Sequence, residues 1–160
     1  MRYLFVLALL LVACQPTTES SLDIVDETAV PPRPTLSPEA INLGEAVYAL
    51  QCASCHGVNL EGQPEWKSQN EDGSFRAPPH DASGHTWHHG DPTLLEAIYA
   101  GGARFTNMNI GGTSNMPAFA ETLSDEEITA VLTYIKSTWP EDIQQIQWDA
   151  TLREELQDKQ

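Results

Sequence analysis

The sequence predicts an all-α domain. Apolar residues recur at three- and four-residue spacing in three separate stretches, each with its own start and stop signals, and no stretch alternates as a half-buried strand would. In the first, Ser37 is placed to cap a helix with Pro38 at its first position, and Ile41, Leu43, Val47 and Leu50 carry it toward residue 51. The second starts at Asp91-Pro92, uses Leu94, Leu95 and Ile98, and stops at Gly101-Gly102. The third has the clearest start: Ser124 and Glu127 form a capping box, and Leu123 and Ile128 are spaced for a hydrophobic staple. Ile128, Val131, Leu132, Ile135 and Trp139 follow at helical spacing until Pro140 ends the run. Beyond it, "EDIQQIQWDATLREELQDKQ" scatters Ile143, Ile146, Trp148, Leu152 and Leu156. That pattern suits either a last helix or a frayed charged tail.

The chain has 160 residues and a formal net charge of −15, from 8 Lys plus Arg against 23 Asp plus Glu. Such a balance repels nucleic acid and anionic lipid, which excludes nucleic acid as a partner and favours proteins with basic docking patches. Residues 1–13 read as an export signal: Arg2, then an apolar run too short to span a bilayer comfortably. The run ends in Leu11-Val12-Ala13-Cys14, which resembles a bacterial lipobox and implies that Cys14 carries a lipid at an extracytoplasmic membrane face. Residues 14–37, with four prolines and four acidic residues, read as a solvated tether averaging roughly 25–30 Å end to end. The folded domain then covers 38–139, with 140–160 as an extension.

"CASCH", residues 52–56, carries the chemistry. Two cysteines separated by two residues can be a redox dithiol, half of a zinc site, or the anchor of a covalent haem. The dithiol reading needs a βαβ context that is absent. Zinc needs two more ligands, and His80, His85, His88 and His89 keep it open on count. Two features favour haem. His56 directly follows the second cysteine, so thiols bound to one porphyrin edge carry an imidazole under the iron; and a thioether lies downstream in a suitable frame. The three cysteines are then all used, Cys14 by lipid and Cys52 and Cys55 by one haem c.

On these residues the chain resembles the class I, monohaem, His/Met-ligated c-type cytochromes. The likeness covers about residues 38–139. Gly44 and Tyr48 precede "CASCH", "NMPAF" at 115–119 matches the distal-ligand loop, and "LSDEEITAVLTYIKSTW" matches the C-terminal helix with its aromatic Tyr134. The resemblance implies the small cytochrome c fold: three to four main helices and long loops wrapped round one haem, with His56 and Met116 as the iron ligands. Pro117 stiffens the loop that holds Met116, whereas the rival Met108 has no such neighbour. A histidine is the third alternative. By the same resemblance a carbonyl from Pro78 or Pro79 accepts from the proximal imidazole. Trp87 is expected to pack on the haem, and Arg104 is a candidate propionate partner.

The functional expectation is a membrane-anchored electron carrier and not an enzyme, since Met116 leaves iron no open position for peroxide or a gas. Two alternatives stand beside it. The chain could be a haem subunit of a larger redox enzyme. Or "HDASGHTWHHGD", residues 80–91, could hold a second metal such as copper through its four histidines. The plainer reading of that cluster is that its histidines meet propionates or solvent.

Overall fold

The computed structural model describes residues 30–105 and 110–159. The apolar leader, Cys14, most of the tether and Met108 lie outside the described residues. All the helices among the described residues belong to one unit, Pro32–Gln160. In order they are α1 (Pro38–Gln51), α2 (Ala53–His56), α3 (Asp91–Ala100), α4 (Asp125–Ser137) and α5 (Glu141–Gln157), with 3-10 turns at Thr86–His88 and Gly101–Phe105. The architecture is all-α. Among the described residues pairing of the β type is confined to the isolated bridges Gln69–Phe75 and Ser74–Thr113, which fasten the long loops to one another.

The local signals act as physical chemistry requires. Ser37 accepts from the Ala40 amide at the start of α1, and both halves of the Ser124–Glu127 capping box form at the start of α4. α4 stops at Ser137 instead of running to Trp139, because the chain must turn there before Pro140. Trp139 still reaches the core: its ring is 3% exposed and its Nε1 donates to the His80 carbonyl at 2.7 Å.

α1 and α4 cross at close range, and the core forms round the crossing from Val47, Tyr48, Leu60, Val131, Ile135 and Trp139. Gly44 makes the approach possible. A Cβ there would overlap the Ala130 carbonyl and lie 2.8 Å from the Cβ of Tyr134. The Tyr48 and Tyr134 rings meet beside the crossing with centroids 5.5 Å apart.

The C-terminal extension is a packed helix, and two of its three buried residues, Gln147 and Thr151 beside Ala150, are polar. Gln147 and Thr151 are 0% and 1% exposed, whereas Ile146 and Leu156 point outward at 43% and 62%. Gln147 Nε2 donates to Asp91 Oδ1 at 2.7 Å, to Thr151 Oγ1 at 3.0 Å and to the His89 carbonyl at 3.2 Å. The Asp91 carboxylate also accepts from Lys136 Nζ of α4 on both of its oxygens at 2.8 Å, so α3, α4 and α5 share one polar junction. Arg33, near the end of the tether, donates to Gln144 on the same helix.

Glu154 of α5 caps α3, whose own N-cap, Gly90, has no side chain to do so. Its carboxylate accepts from the Gly90 amide at 2.7 Å and the Thr93 amide at 3.1 Å. Partial burial raises the Glu154 pKa, but the amide bonds and nearby His89 outweigh that and leave it below the ordinary value of 4.5. A depressed carboxyl stabilises the fold fully above its unfolded pKa and loses that contribution as pH falls through the folded one. Glu154→Gln is therefore expected to lower the thermal midpoint at pH 7 and to differ progressively less from the parent below about pH 4.5. Thermal melts across that range check it, and a constant difference would remove the capping role.

Candidate functional site

The site begins where α1 runs out. Cys52 is the C-cap of α1, and the chain makes one more helical turn through α2, with the Cys55 and His56 amides bonded to the Cys52 carbonyl at 3.1 and 3.0 Å. That turn brings both thiols and the imidazole to one place. Gly57 ends it at φ 83°, and the buried Tyr48 hydroxyl donates to the Gly57 carbonyl at 2.9 Å, which ties the turn back to α1.

Both cysteines are thiols without a disulfide. Burial, reinforced by Cys55, pushes the Cys52 thiol up to about 11. A redox dithiol works by the opposite shift, toward a stabilised thiolate, so the electrostatics disfavour that use of the pair.

His56 is 8% exposed, and its Nδ1 lies 2.8 Å from the Pro78 carbonyl. A carbonyl only accepts, so Nδ1 carries the proton and Nε2 presents a lone pair. Burial lowers the imidazole pKa against the effect of the Pro78 bond, which favours the neutral, ligating form. The Pro79 carbonyl is used differently, accepting from the Thr86 hydroxyl at 3.2 Å. The "APPH" loop is anchored through Leu60, a buried residue at φ 64° whose carbonyl accepts the His80 and Asp81 amides at 2.8 and 3.2 Å.

Met116 sits in a loop zipped onto the end of α3. Its carbonyl accepts from the Gly102 amide at 2.8 Å, its amide donates to Ser114 Oγ at 3.3 Å, and Phe119 and Ala120 donate to the Ile98 and Tyr99 carbonyls. Gly101 and Gly102 therefore do more than stop a helix, which is all the sequence suggested. A Cβ on Gly101 would overlap the Met116 and Pro117 carbonyls, and one on Gly102 the Ser114 carbonyl. Gly101 also holds φ 55°, which favours glycine. Gly101→Ala is expected to push the Met116 loop outward. If the Met116 thioether binds iron, as the sequence resemblance implies, thermal loss of its absorption should then come at lower temperature than global unfolding; coincident transitions would show that the loop does not depend on Gly101.

The other candidates are more dispersed. The Trp87 ring packs against the core cluster, and its buried indole N–H has no hydrogen-bond partner among the described residues. Arg104 donates to the Thr93 carbonyl at 3.3 Å and lies over the Phe105 ring. The four clustered histidines part company. His80 turns inward onto His56, His85 stacks on Trp66 with centroids 5.1 Å apart, and His88 stacks on Trp87 at 3.7 Å. His89 meets His85 edge to face. Among the described residues no group of three or more His, Cys, Asp or Glu converges to hold a metal ion, so zinc and copper readings gain no support from geometry.

The residues present fit a covalent haem. Two thiols and a neutral imidazole share one turn, the imidazole nitrogen that could bind iron is the one left unprotonated, and a buried indole N–H lacks an acceptor among the described residues. Comparison with known proteins agrees. The cytochrome c family model matches residues 41–139, and the chain belongs to that family. Its cofactor is covalent haem c with iron, and its chemistry is haem electron transfer. A curated relative, the cbb3-type cytochrome c oxidase subunit FixPc of Rhizobium leguminosarum bv. viciae, is 30% identical over 96 residues. The match takes in 60% of this chain and 29% of that subunit, so the chain corresponds to less than a third of the relative.

Proposed function

We propose that this chain is an extracytoplasmic electron carrier, lipid-tethered through Cys14, whose haem is bound by Cys52 and Cys55 and ligated by His56 and Met116. The observation that carries it is the His56–Pro78 bond within the CASCH turn, which prepares a neutral imidazole for iron beside two available thiols. When bound, the haem supplies a one-electron ferric–ferrous couple. The polypeptide does the rest. Cys52 and Cys55 fix the cofactor edge, His56 holds its ring through Pro78, and Met116 offers a soft sulfur that favours the ferrous state. With His56 and Met116 both on the iron no position would remain for substrate, so the reading is of a carrier and not of an enzyme in its own right. The N–H of Trp87, partnerless among the described residues, supports a role as donor to a propionate; Arg104, already spending one donor on Thr93, has others for the same purpose.

The domain division follows from the same reading: residues 1–13 are removed, 14–37 tether the lipid, 38–139 carry haem, and 140–160 brace the fold through α5. No helix among the described residues is long and apolar enough to cross a membrane. The assignment of attachment to a lipid rests on the lipobox-like Leu11-Val12-Ala13-Cys14, and the tether raises local concentration near membrane partners. The charge of −15 suits partners with basic patches. A membrane oxidase assembly is one class of acceptor, supported by the name of the curated relative.

The test is spectroscopic and uses the mature full-length protein. The pyridine adduct should show the absorption of thioether-linked haem, and the reduced protein should not bind carbon monoxide. A vinyl-type pyridine spectrum would end the covalent assignment. Rapid carbon monoxide binding would replace the carrier with a small-ligand enzyme or sensor.

A further inference from the structure

We infer that His80 is a positioning residue for the proximal ligand: its ring, stacked on His56, sets the plane of the iron-binding imidazole. The inference rests on His56 being that ligand. The two rings lie with centroids 4.0 Å apart and planes inclined by 23°. The Pro78 bond alone fixes one edge of the His56 ring but not its tilt about that edge. A second ring laid flat against it removes that freedom, provided the second ring is itself immobile.

His80 meets that condition. Its Nδ1 lies 2.9 Å from the hydroxyl of Thr86, a residue only 7% exposed. The Thr86 hydroxyl has one proton and gives it to the Pro79 carbonyl, which can only accept. Thr86 therefore accepts from His80, and Nδ1 carries the proton. The ring's orientation and tautomer both follow from that chain of two bonds. Tyr48 meets the same His80 ring edge-on at 6.4 Å. The backbone of His80 is pinned as well, its amide to Leu60 at 2.8 Å and its carbonyl to Trp139 Nε1 at 2.7 Å. The same core that holds α1 against α4 thus reaches, through Trp139, Tyr48 and His80, the ring that is to bind iron.

The plane of an axial imidazole determines how unpaired spin is shared among the pyrrole rings, so the hyperfine-shifted haem-methyl resonances of the oxidised protein report it directly. Proton NMR of the haem-loaded full chain is compared for the parent, His80→Leu, His80→Phe, Thr86→Val and Thr86→Ser. His80→Leu is expected to change the order and spread of the four methyl shifts, with iron–methionine absorption retained. His80→Phe should move back toward the parent pattern, because a ring is restored. Thr86→Val should shift the pattern in the same sense as His80→Leu, and Thr86→Ser should not. If His80→Leu does not mature, the Thr86 pair decides by the same spectrum. A parent-like pattern in His80→Leu or Thr86→Val, or a His80→Phe pattern no closer to the parent than that of His80→Leu, overturns the inference. A parent protein without a low-spin His/Met spectrum overturns the assignment of His56 and Met116 instead, so the two failures are told apart.

Discussion

Met116→Ala is expected to abolish the thioether-to-ferric charge-transfer absorption, to lower the midpoint potential, and to let the reduced protein bind carbon monoxide. The loss should be complete because the backbone around residue 116 cannot follow the shortened side chain. Its carbonyl and amide are committed to Gly102 and Ser114, and Phe119 and Ala120 are hydrogen-bonded to the last turn of α3. Pro117 removes further freedom. Loss of a soft sulfur that favours ferrous iron explains the fall in potential, and the opened coordination position explains the new gas binding. Met108→Ala is the paired control and should keep the absorption. The reverse result, absorption kept in Met116→Ala and lost in Met108→Ala, would make Met108 the ligand. Absorption kept in both would remove methionine from the iron.

The parts of this structure that were legible in the sequence are those in which a short motif fixes local geometry by itself. The Ser124–Glu127 box, Ser37 followed by Pro38, and CASCH each specify a backbone path within a few residues, and each path is found. α5 was not legible for a definite reason. Helix detection from sequence relies on an apolar stripe, and α5 buries Gln147 and Thr151 while exposing Ile146 and Leu156. Its docking energy comes from bonds to partners more than fifty residues away, Asp91 and the His89 carbonyl among them, which no local pattern encodes. The seat of Met116 on Gly101 and Gly102 was hidden similarly, since a glycine pair after a helix already has a sufficient explanation as a stop. The histidine cluster misled by proximity. Four imidazoles within ten residues suggest a metal, but their rings are spent on four different aromatic neighbours, His56, Trp66, Trp87 and His85.

Gly44→Ala is expected to destabilise the haem-loaded domain by about 1–2 kcal/mol, with Gly44→Val worse, although alanine is the better helix former. Two effects oppose one another. In a helix interior alanine gains about 1 kcal/mol over glycine. Against that, the new Cβ would overlap the Ala130 backbone carbonyl, and backbone cannot step aside as the end of a flexible side chain can. Relief requires moving α1 away from α4, and that crossing is where Val47, Tyr48, Val131 and Ile135 are 5% exposed or less. Overpacking in such a core costs about 1–3 kcal/mol and occasionally more, so the steric term wins. Glu45→Ala, at an exposed neighbour on the same helix, should stay within about 0.5 kcal/mol of the parent. Urea unfolding followed by far-ultraviolet circular dichroism and tryptophan fluorescence measures both. Because Tyr48 also donates to Gly57 at the end of the CASCH turn, displacement of α1 is transmitted to His56. Gly44→Ala should therefore lose the iron–thioether absorption at a lower urea concentration than the parent, in step with its unfolding. A Gly44→Ala protein as stable as the parent would mean that α1 and α4 do not meet as closely as described, and the route from helix crossing to proximal histidine would fall with that contact.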